Sequence, residues 1–450
     1  MSPEATSPQQ AILKFLASIR SPARILVAIS GGSDSTGLLL LLDEAVKAAP
    51  HLEISLCAAT VDHGLRAGST DEARHVAALC ASLGISHTIA TWQGDKPKTG
   101  IMAAAREARY GLLAETAAAL RADLIVTGHT LDDQYETLRM RGLRTEQISS
   151  GIADALLFDR RFWILRPLLF SRRADIRSFL RARDVPWIED PSNEDVRYER
   201  VRMRRQINAD AVAENDIRAA WEQRLALSSR GAEWLDRHFR LHGGLLGQVL
   251  PDGLRKDSTV LNYAFGRLTA VFGGQPFVPG RAHMERLLTF AAGREPGRMT
   301  VGRVVFDLRR DGLYLARESR GILPLVLRPG EAGVWDGRFC VKNGLTTSIE
   351  VETLAASLGS SPMTEMRGDH FERLPKAAWK RAIASAPALS SEGDHLSPQS
   401  AEAVEMTRYF APFDRFLTRF DFIFADRLSA VFAMAPYAGL PLRSIDGKTI

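Results

Sequence analysis

ARILVAISGGSDST, residues Ala23 to Thr36, decides the fold: an apolar run of strand length passes straight into a Gly/Ser loop that opens a helix. The same rhythm continues downstream. ISLCAATVDH (Ile54 to His63), SHTIATW (Ser86 to Trp92) and ADLIVTGH (Ala122 to His129) read as further strands, and the stretches Ser35 to Ala49, Ser69 to Leu83 and Ile101 to Leu120 have helical length and Ala/Leu content. Strands alternating with helices at this spacing predict right-handed crossovers and an α/β fold with a parallel sheet. A ligand of such a sheet lies beyond the carboxyl ends of its strands.

The loop itself, Ser30-Gly31-Gly32-Ser33-Asp34-Ser35, is built for phosphate. Adjacent glycines let backbone N–H groups approach a ligand, serines add hydroxyl donors, and the helix N-terminus behind them favours negative charge. It is neither a Walker A loop, since no Lys follows the glycines, nor a GxGxxG fingerprint. Asp34 is the oddity. A carboxylate inside a phosphate cradle repels the ligand unless a cation lies between them, which implies Mg²⁺ held by hard oxygens with Asp34 as a metal ligand. On residue type alone Asp34 reads equally as a helix cap.

With 45% hydrophobic and 25% charged residues over 450 positions, the composition excludes wholesale disorder, collagen-like and coiled-coil classes. The N-terminus has no signal-peptide core and no apolar run approaches a membrane span, so no membrane partner is expected. Cys57, Cys80 and Cys340 form no CxxC pair, which argues against a disulfide framework or a cysteine-held metal and makes a reducing cytoplasm the default. The net charge of +5 is matched by one stretch, Phe158 to Arg205, which has thirteen arginines, eight acids and no lysine. Arginine forks suit phosphate, so a nucleic acid or polyphosphate partner is expected; the alternative is a solvated face whose arginines pair with the interspersed acids. After about Arg205 the alternation stops. Ala211 to Arg240 reads as continuous helix, Met299 to Glu318 as a hairpin turning between Arg309 and Gly312, and Ala384 to Gln399 as a loop.

SGGSDS after an N-terminal strand resembles the pyrophosphate loop of the N-type ATP pyrophosphatases, which cleave ATP to AMP and pyrophosphate while adenylating a carbonyl oxygen. VDHGLR (Val61 to Arg66), AREARY (Ala105 to Tyr110), GHTLDDQYET (Gly128 to Thr137) and DPSNEDVRYERVRMR (Asp190 to Arg204) follow in order. Together they are similar to the tRNA(Ile)-lysidine synthase branch of that family, strongly over Arg24 to Arg204 and loosely beyond.

The resemblance implies a Rossmann-like PP-loop catalytic domain over residues 1–208, a helical substrate-binding or linker domain over 209–320 and a mixed α/β tRNA-recognition domain over 321–450. It implies ATP on Ser30, Gly31, Gly32, Ser33, Asp34 and Ser35, free L-lysine on Asp133 and Glu136, and an isoleucine tRNA with a CAU anticodon. Asp133 and Glu136 lie one helical turn apart, so both carboxylates face one side and can hold an ammonium; a Thr130–Asp133 helix cap with Glu136 on the surface is the plain alternative. His129 at a strand end, Arg109 within a helix, and Arg200 and Arg204 four residues apart are implied nucleotide, substrate or phosphate contacts, and Asp62 and His63 line the adenosine side. Each also has an ordinary structural reading. Two positions depart from the family pattern: Val201 replaces an Asn, and Thr145-Glu146-Gln147 replaces a glycine-rich turn. A related tRNA cytidine thiolase is disfavoured by the absence of CxxC, and a catalytically idle RNA-binding protein on the same fold is the alternative from a different class.

Overall fold

In the computed structural model the four expected strands form as β1 (Ala23–Ala28), β2 (Ile54–Asp62), β3 (Ser86–Thr91) and β4 (Leu124–Thr127). The structure describes residues 6–64, 69–97, 99–142, 150–189, 214–293, 295–358, 374–391, 394–396, 401–445 and 448–449. The helices between these strands are α2 (Ser33–Ala48), α3 (Ser69–Ser82) and α4 (Ile101–Ala119), with α1 (Pro8–Ser18) ahead of β1. Strand β1 pairs in parallel with β2 on one side, Ala23 opposite Ile54, and with β4 on the other, Ile25 opposite Leu124. Such a strand has no solvent face. Ile25, Leu26 and Val27 are accordingly fully buried, which explains their unbroken apolar run.

Two further strands, β5 (Ala155–Phe158) and β6 (Phe162–Leu165), escape the alternating pattern. They form an antiparallel hairpin with Phe158 opposite Phe162, and β6 runs parallel to β4, giving the order β5-β6-β4-β1-β2-β3. The strand order reverses at β1. The crevice for a ligand therefore lies beyond the carboxyl ends of β1 and β4, where the chain leaves in opposite directions.

Two close approaches shape that crevice. Gly128, just after β4, lies so near the start of α2 that a Cβ there would sit 2.8 Å from the backbone carbonyl of Asp34 and 2.9 Å from the nitrogen of Ser35. Gly37 in α2 faces α6 (Arg173–Arg181), where a Cβ would meet Ile176 at 2.2 Å. Helix α6 thus packs directly on the helix that the phosphate-type loop opens.

The chain forms two compact units, Met1–Arg224 with Ala438–Ile450, and Leu225–Tyr437. Within the second, β7 (Phe239–His242) to β11 (Gly312–Arg317) make a five-stranded sheet beside the helices Ser258–Gly273 and Arg281–Ala292. The expected hairpin is there, with Arg309 paired to Gly312. The expected long helix spans Glu214–His238. The loop expected over Ala384 to Gln399 is in part a strand, Pro387–Ser391, whose alternating burial and pairing of Val351 with Leu389 override its turn-rich composition. Three buried side chains, Arg317, Asp336 and Arg338, form an ion cluster in this unit, with Asp336 2.7 Å from Arg317 and 2.6 Å from Arg338.

Gly128→Ala is expected to destabilise the first unit by about 1–3 kcal/mol, because the intruding methyl meets backbone rather than a movable side chain. Urea denaturation checks it; a wild-type midpoint for the variant would mean that β4 and α2 can separate freely.

Candidate active site

The loop after β1 is held by its own side chains. Ser35 Oγ donates to the Gly32 carbonyl at 3.1 Å, the Ser30 backbone N–H donates to Ser35 Oγ at 3.1 Å, and Thr36 Oγ1 donates to the Gly31 carbonyl at 3.2 Å. Gly31 has φ 83°, a left-handed conformation, and its carbonyl accepts the Ile188 N–H at 2.9 Å. Ser33 and Ser35 are buried, so their hydroxyls are set before any ligand arrives.

After β4 the chain enters α5 (Leu131–Gly142) through Thr130, whose backbone N–H donates to Asp133 Oδ2 at 2.8 Å and whose hydroxyl donates to the same oxygen at 3.0 Å. The plain helix-cap reading of Thr130 and Asp133 is therefore correct as geometry. It uses only one carboxylate oxygen. Asp133 Oδ1 is turned the other way, 3.3 Å from Arg173 Nη2. Glu136 is 2% exposed rather than a surface acid, with Oε1 3.8 Å from Arg173 Nη1.

Arg173 is the residue that sequence reasoning missed. Its Nε donates to Asp34 Oδ2 at 2.7 Å, so one guanidinium faces the loop carboxylate and both α5 carboxylates with a different nitrogen toward each. Its own backbone is fixed, since the Arg173 N–H donates to Asp132 Oδ2 at 2.9 Å and the Leu131 N–H donates to the Ser171 carbonyl at 3.0 Å. The starts of α5 and α6 are thereby tied together. The available signal was the Ser-Arg-Arg start of an amphipathic helix within the arginine-rich stretch; the long-range partners gave none.

Burial pushes the Asp34 carboxyl above its usual range, and Asp133 adds to the rise, against the pull of Arg173 and Ser33. On Arg173 burial works the other way from its partners, and Asp34, Asp133 and Asp132 prevail, holding the guanidinium above its ordinary value. Arg173 thus places a positive charge directly against Asp34.

The remaining predicted residues divide. His129 Nδ1 is within hydrogen-bond distance of Thr127 Oγ1, 2.9 Å, at the crevice end of β4. Asp62 is buried and accepts from the Gly64 N–H at 2.9 Å and the Thr70 hydroxyl at 3.1 Å. His63 stands edge-on to Trp92 with ring centroids 6.0 Å apart, and burial, then Arg109, lowers its pKa against the pull of Asp62. Arg109 makes no hydrogen bond or ion pair among the described residues; burial lowers its pKa, and Arg106 and Arg166 lower it further against the pull of Tyr110. Arg200, Arg204, Val201 and Thr145-Glu146-Gln147 lie outside the described residues.

The arginine-rich stretch is only partly a phosphate surface. Arg166 is buried, with Nη1 donating to the Ala153 carbonyl at 2.5 Å, and Arg183 pairs with Glu44 at 2.5 Å while stacking on Phe179. Both are structural. Among the described residues, no helix is long and apolar enough to cross a membrane.

A serine- and glycine-lined loop at the switch point of a parallel sheet, faced by acids and an arginine, defines a nucleotide-binding α/β enzyme domain, and a family model for the PP-loop domain matches residues 4–211. The resemblance extends well past that domain. The chain is 42% identical over 96% of its length to a tRNA(Ile)-lysidine synthase of Rhizobium meliloti, also 96% covered, and 38% identical over 93% of its length to that of Mesorhizobium japonicum, 94% covered. A counterpart from Brucella canis is 32% identical over 90% of this chain and 94% of its own. The chain belongs to the tRNA(Ile)-lysidine synthases.

Asp34→Asn is expected to raise or preserve the melting temperature at neutral pH. A carboxyl whose folded value is raised stabilises the fold only while protonated, and that contribution is lost as pH rises through the folded value. Melting curves from about pH 4 to 8 check the sign: wild type should lose ground to Asp34→Asn as pH rises above the ordinary carboxylate range.

Proposed function

We propose that the protein uses ATP to join free lysine to C2 of the wobble cytidine in an isoleucine tRNA bearing a CAU anticodon, giving lysidine, AMP and pyrophosphate. Identity along nearly the whole chain to synthases of that name carries the reading. The carboxylates of Asp34, Asp133 and Glu136 beside a phosphate-type loop support it, because they set a triphosphate site next to a site for a cation.

Expelling the C2 oxygen of cytosine directly with an amine is prohibitive, so the oxygen is first activated. It attacks the α-phosphorus of ATP, and pyrophosphate leaves. The backbone and hydroxyls of Ser30 to Ser35 hold the phosphates, and Arg109, with no hydrogen-bond or ion-pair partner among the described residues, is suited to the charge that spreads over them. Asp133 and Glu136 then hold lysine as its ammonium, orient it and take the proton that frees the amine lone pair. The amine bonds to C2, the C2–O bond breaks, and AMP departs with the oxygen. His129 and His63 contact the nucleotide side.

Mg²⁺ belongs to this reading. Among the described residues, no group of three or more His, Cys, Asp or Glu side chains could hold an ion by itself. The hard oxygens of Asp34 suit an ion bound mainly by phosphates and water, and such an ion supplies charge neutralisation on the triphosphate. Residues 209–320 and 321–450 read as the tRNA-binding portions, with attraction to phosphate that weakens as salt rises.

Incubation with ATP, magnesium, radiolabelled lysine and transcripts of the two tRNAs tests the reading. Label should enter the isoleucine tRNA with CAU and spare a methionine tRNA; equal labelling of both would reject the selectivity. Pyrophosphate release should fall by at least about 10²-fold in Asp34→Ala, and unchanged turnover would reject the role of that carboxylate. Asp133→Asn and Glu136→Gln are expected to raise the KM for lysine about ten-fold or more while leaving the KM for ATP within about two-fold, because a hydrogen-bonded charge pair contributes on the order of 1.5–3 kcal/mol.

A further inference from the structure

The two substrate sites proposed above share one side chain. Arg173 reaches Asp34, on the ATP loop, through Nε at 2.7 Å, and reaches Asp133 and Glu136, on the lysine side, through Nη2 at 3.3 Å and Nη1 at 3.8 Å. Its side chain is 18% exposed, so little water screens these pairs. We propose that Arg173 is a positioning residue that couples the sites: without nucleotide it occupies the place of the cationic substrate, and the triphosphate draws it off Asp133 and Glu136 so that lysine can enter.

The coupling follows from charge and reach. A lysine ammonium that enters without ATP must compete with a guanidinium already seated on the same carboxylates. Its affinity is reduced by whatever fraction of the protein keeps Arg173 in place. A triphosphate on Ser30 to Ser35 offers the same guanidinium denser negative charge on the Asp34 side, where Nε already points. The backbone of Arg173 need not move, because Asp132 holds its N–H and α6 is packed on α2 through Gly37 and Ile176. Rotation of one side chain is enough. Lysine binding is then ordered after ATP, and the amine meets its carboxylates only when something is present to be activated. Linkage requires the effect to be reciprocal, so lysine tightens ATP by the same factor.

The inference rests on the assignment of ATP to the loop and lysine to Asp133 and Glu136, and calorimetry on the full chain separates the two. Lysine is titrated with and without saturating α,β-methylene ATP and magnesium, into wild type, R173Q and R173K. In wild type the analogue should tighten lysine by at least about five-fold, the lower end of ordinary couplings. In R173Q lysine alone should bind about as tightly as it binds wild type with the analogue, and the enhancement should vanish. R173K has one nitrogen where three are used, and should keep less than half of the enhancement; this arm decides the matter if thermal melting shows R173Q unfolded. A wild-type enhancement in the folded variants, or none in wild type, overturns the coupling while leaving the assignment intact. Lysine that binds wild type in neither state removes the assignment and the coupling together.

Discussion

Three carboxylates cannot share one crevice without a cation, and Asp34, Asp133 and Glu136 meet that constraint around the guanidinium of Arg173. Asp34 comes from the loop, Asp133 and Glu136 from one turn of α5, and Arg173 from the start of α6. The acids outnumber the guanidinium, so the site stays receptive to further positive charge. A crevice lined only by phosphate donors would hold ATP but give an ammonium no reason to come close. One lined only by acids would repel the nucleotide. The mixture can accept a cation and an anion side by side, with Arg173 between the two kinds of group.

The scaffold makes the mixture tolerable by giving its members structural work as well. Asp133 caps α5 with one oxygen and faces the crevice with the other, so its geometry accommodates the cap and the proposed role together. An N-terminal cap stabilises its helix by about 1 kcal/mol. That helps to hold an acid which would otherwise turn away from its neighbours. Gly128 acts similarly at the level of backbone: without a Cβ, the end of β4 can touch the first turn of α2, which brings the loop and the acids of α5 to the same place.

Much of this was legible in the sequence, and the failures have physical causes. The alternation of apolar and helical runs exposed β1 to β4 and α2 to α4 because a strand buried on both faces must be apolar at every position. Strands β5 and β6 were missed because their turn, Asp159-Arg160, takes positive φ at 52° and 57° without a glycine to announce it. The loop, Asp133 and Glu136 could be singled out as neighbours in one crevice because motif residues lie close along the chain. Arg173 could not, since its partner Asp34 is 139 positions away and a helical arginine looks alike whether it meets solvent or a buried acid.

Charge counting shows the same limit from the other side. The excess of arginine between Phe158 and Arg205 suggested one phosphate-facing surface, yet its described members have at least three different occupations. Arg166 satisfies a buried carbonyl, Arg183, just past α6, pairs with Glu44 of α2, and Arg173 pairs with the acids of the crevice. Only side chains left exposed, such as Arg161, Arg172 and Arg181, remain available to an RNA backbone from that set. Each arginine spent on the fold lowers the number of phosphates the stretch can neutralise, and with it the steepness of any salt dependence. The composition of a segment therefore bounds its electrostatic role from above, and the packing of each guanidinium decides how much of that bound is reached.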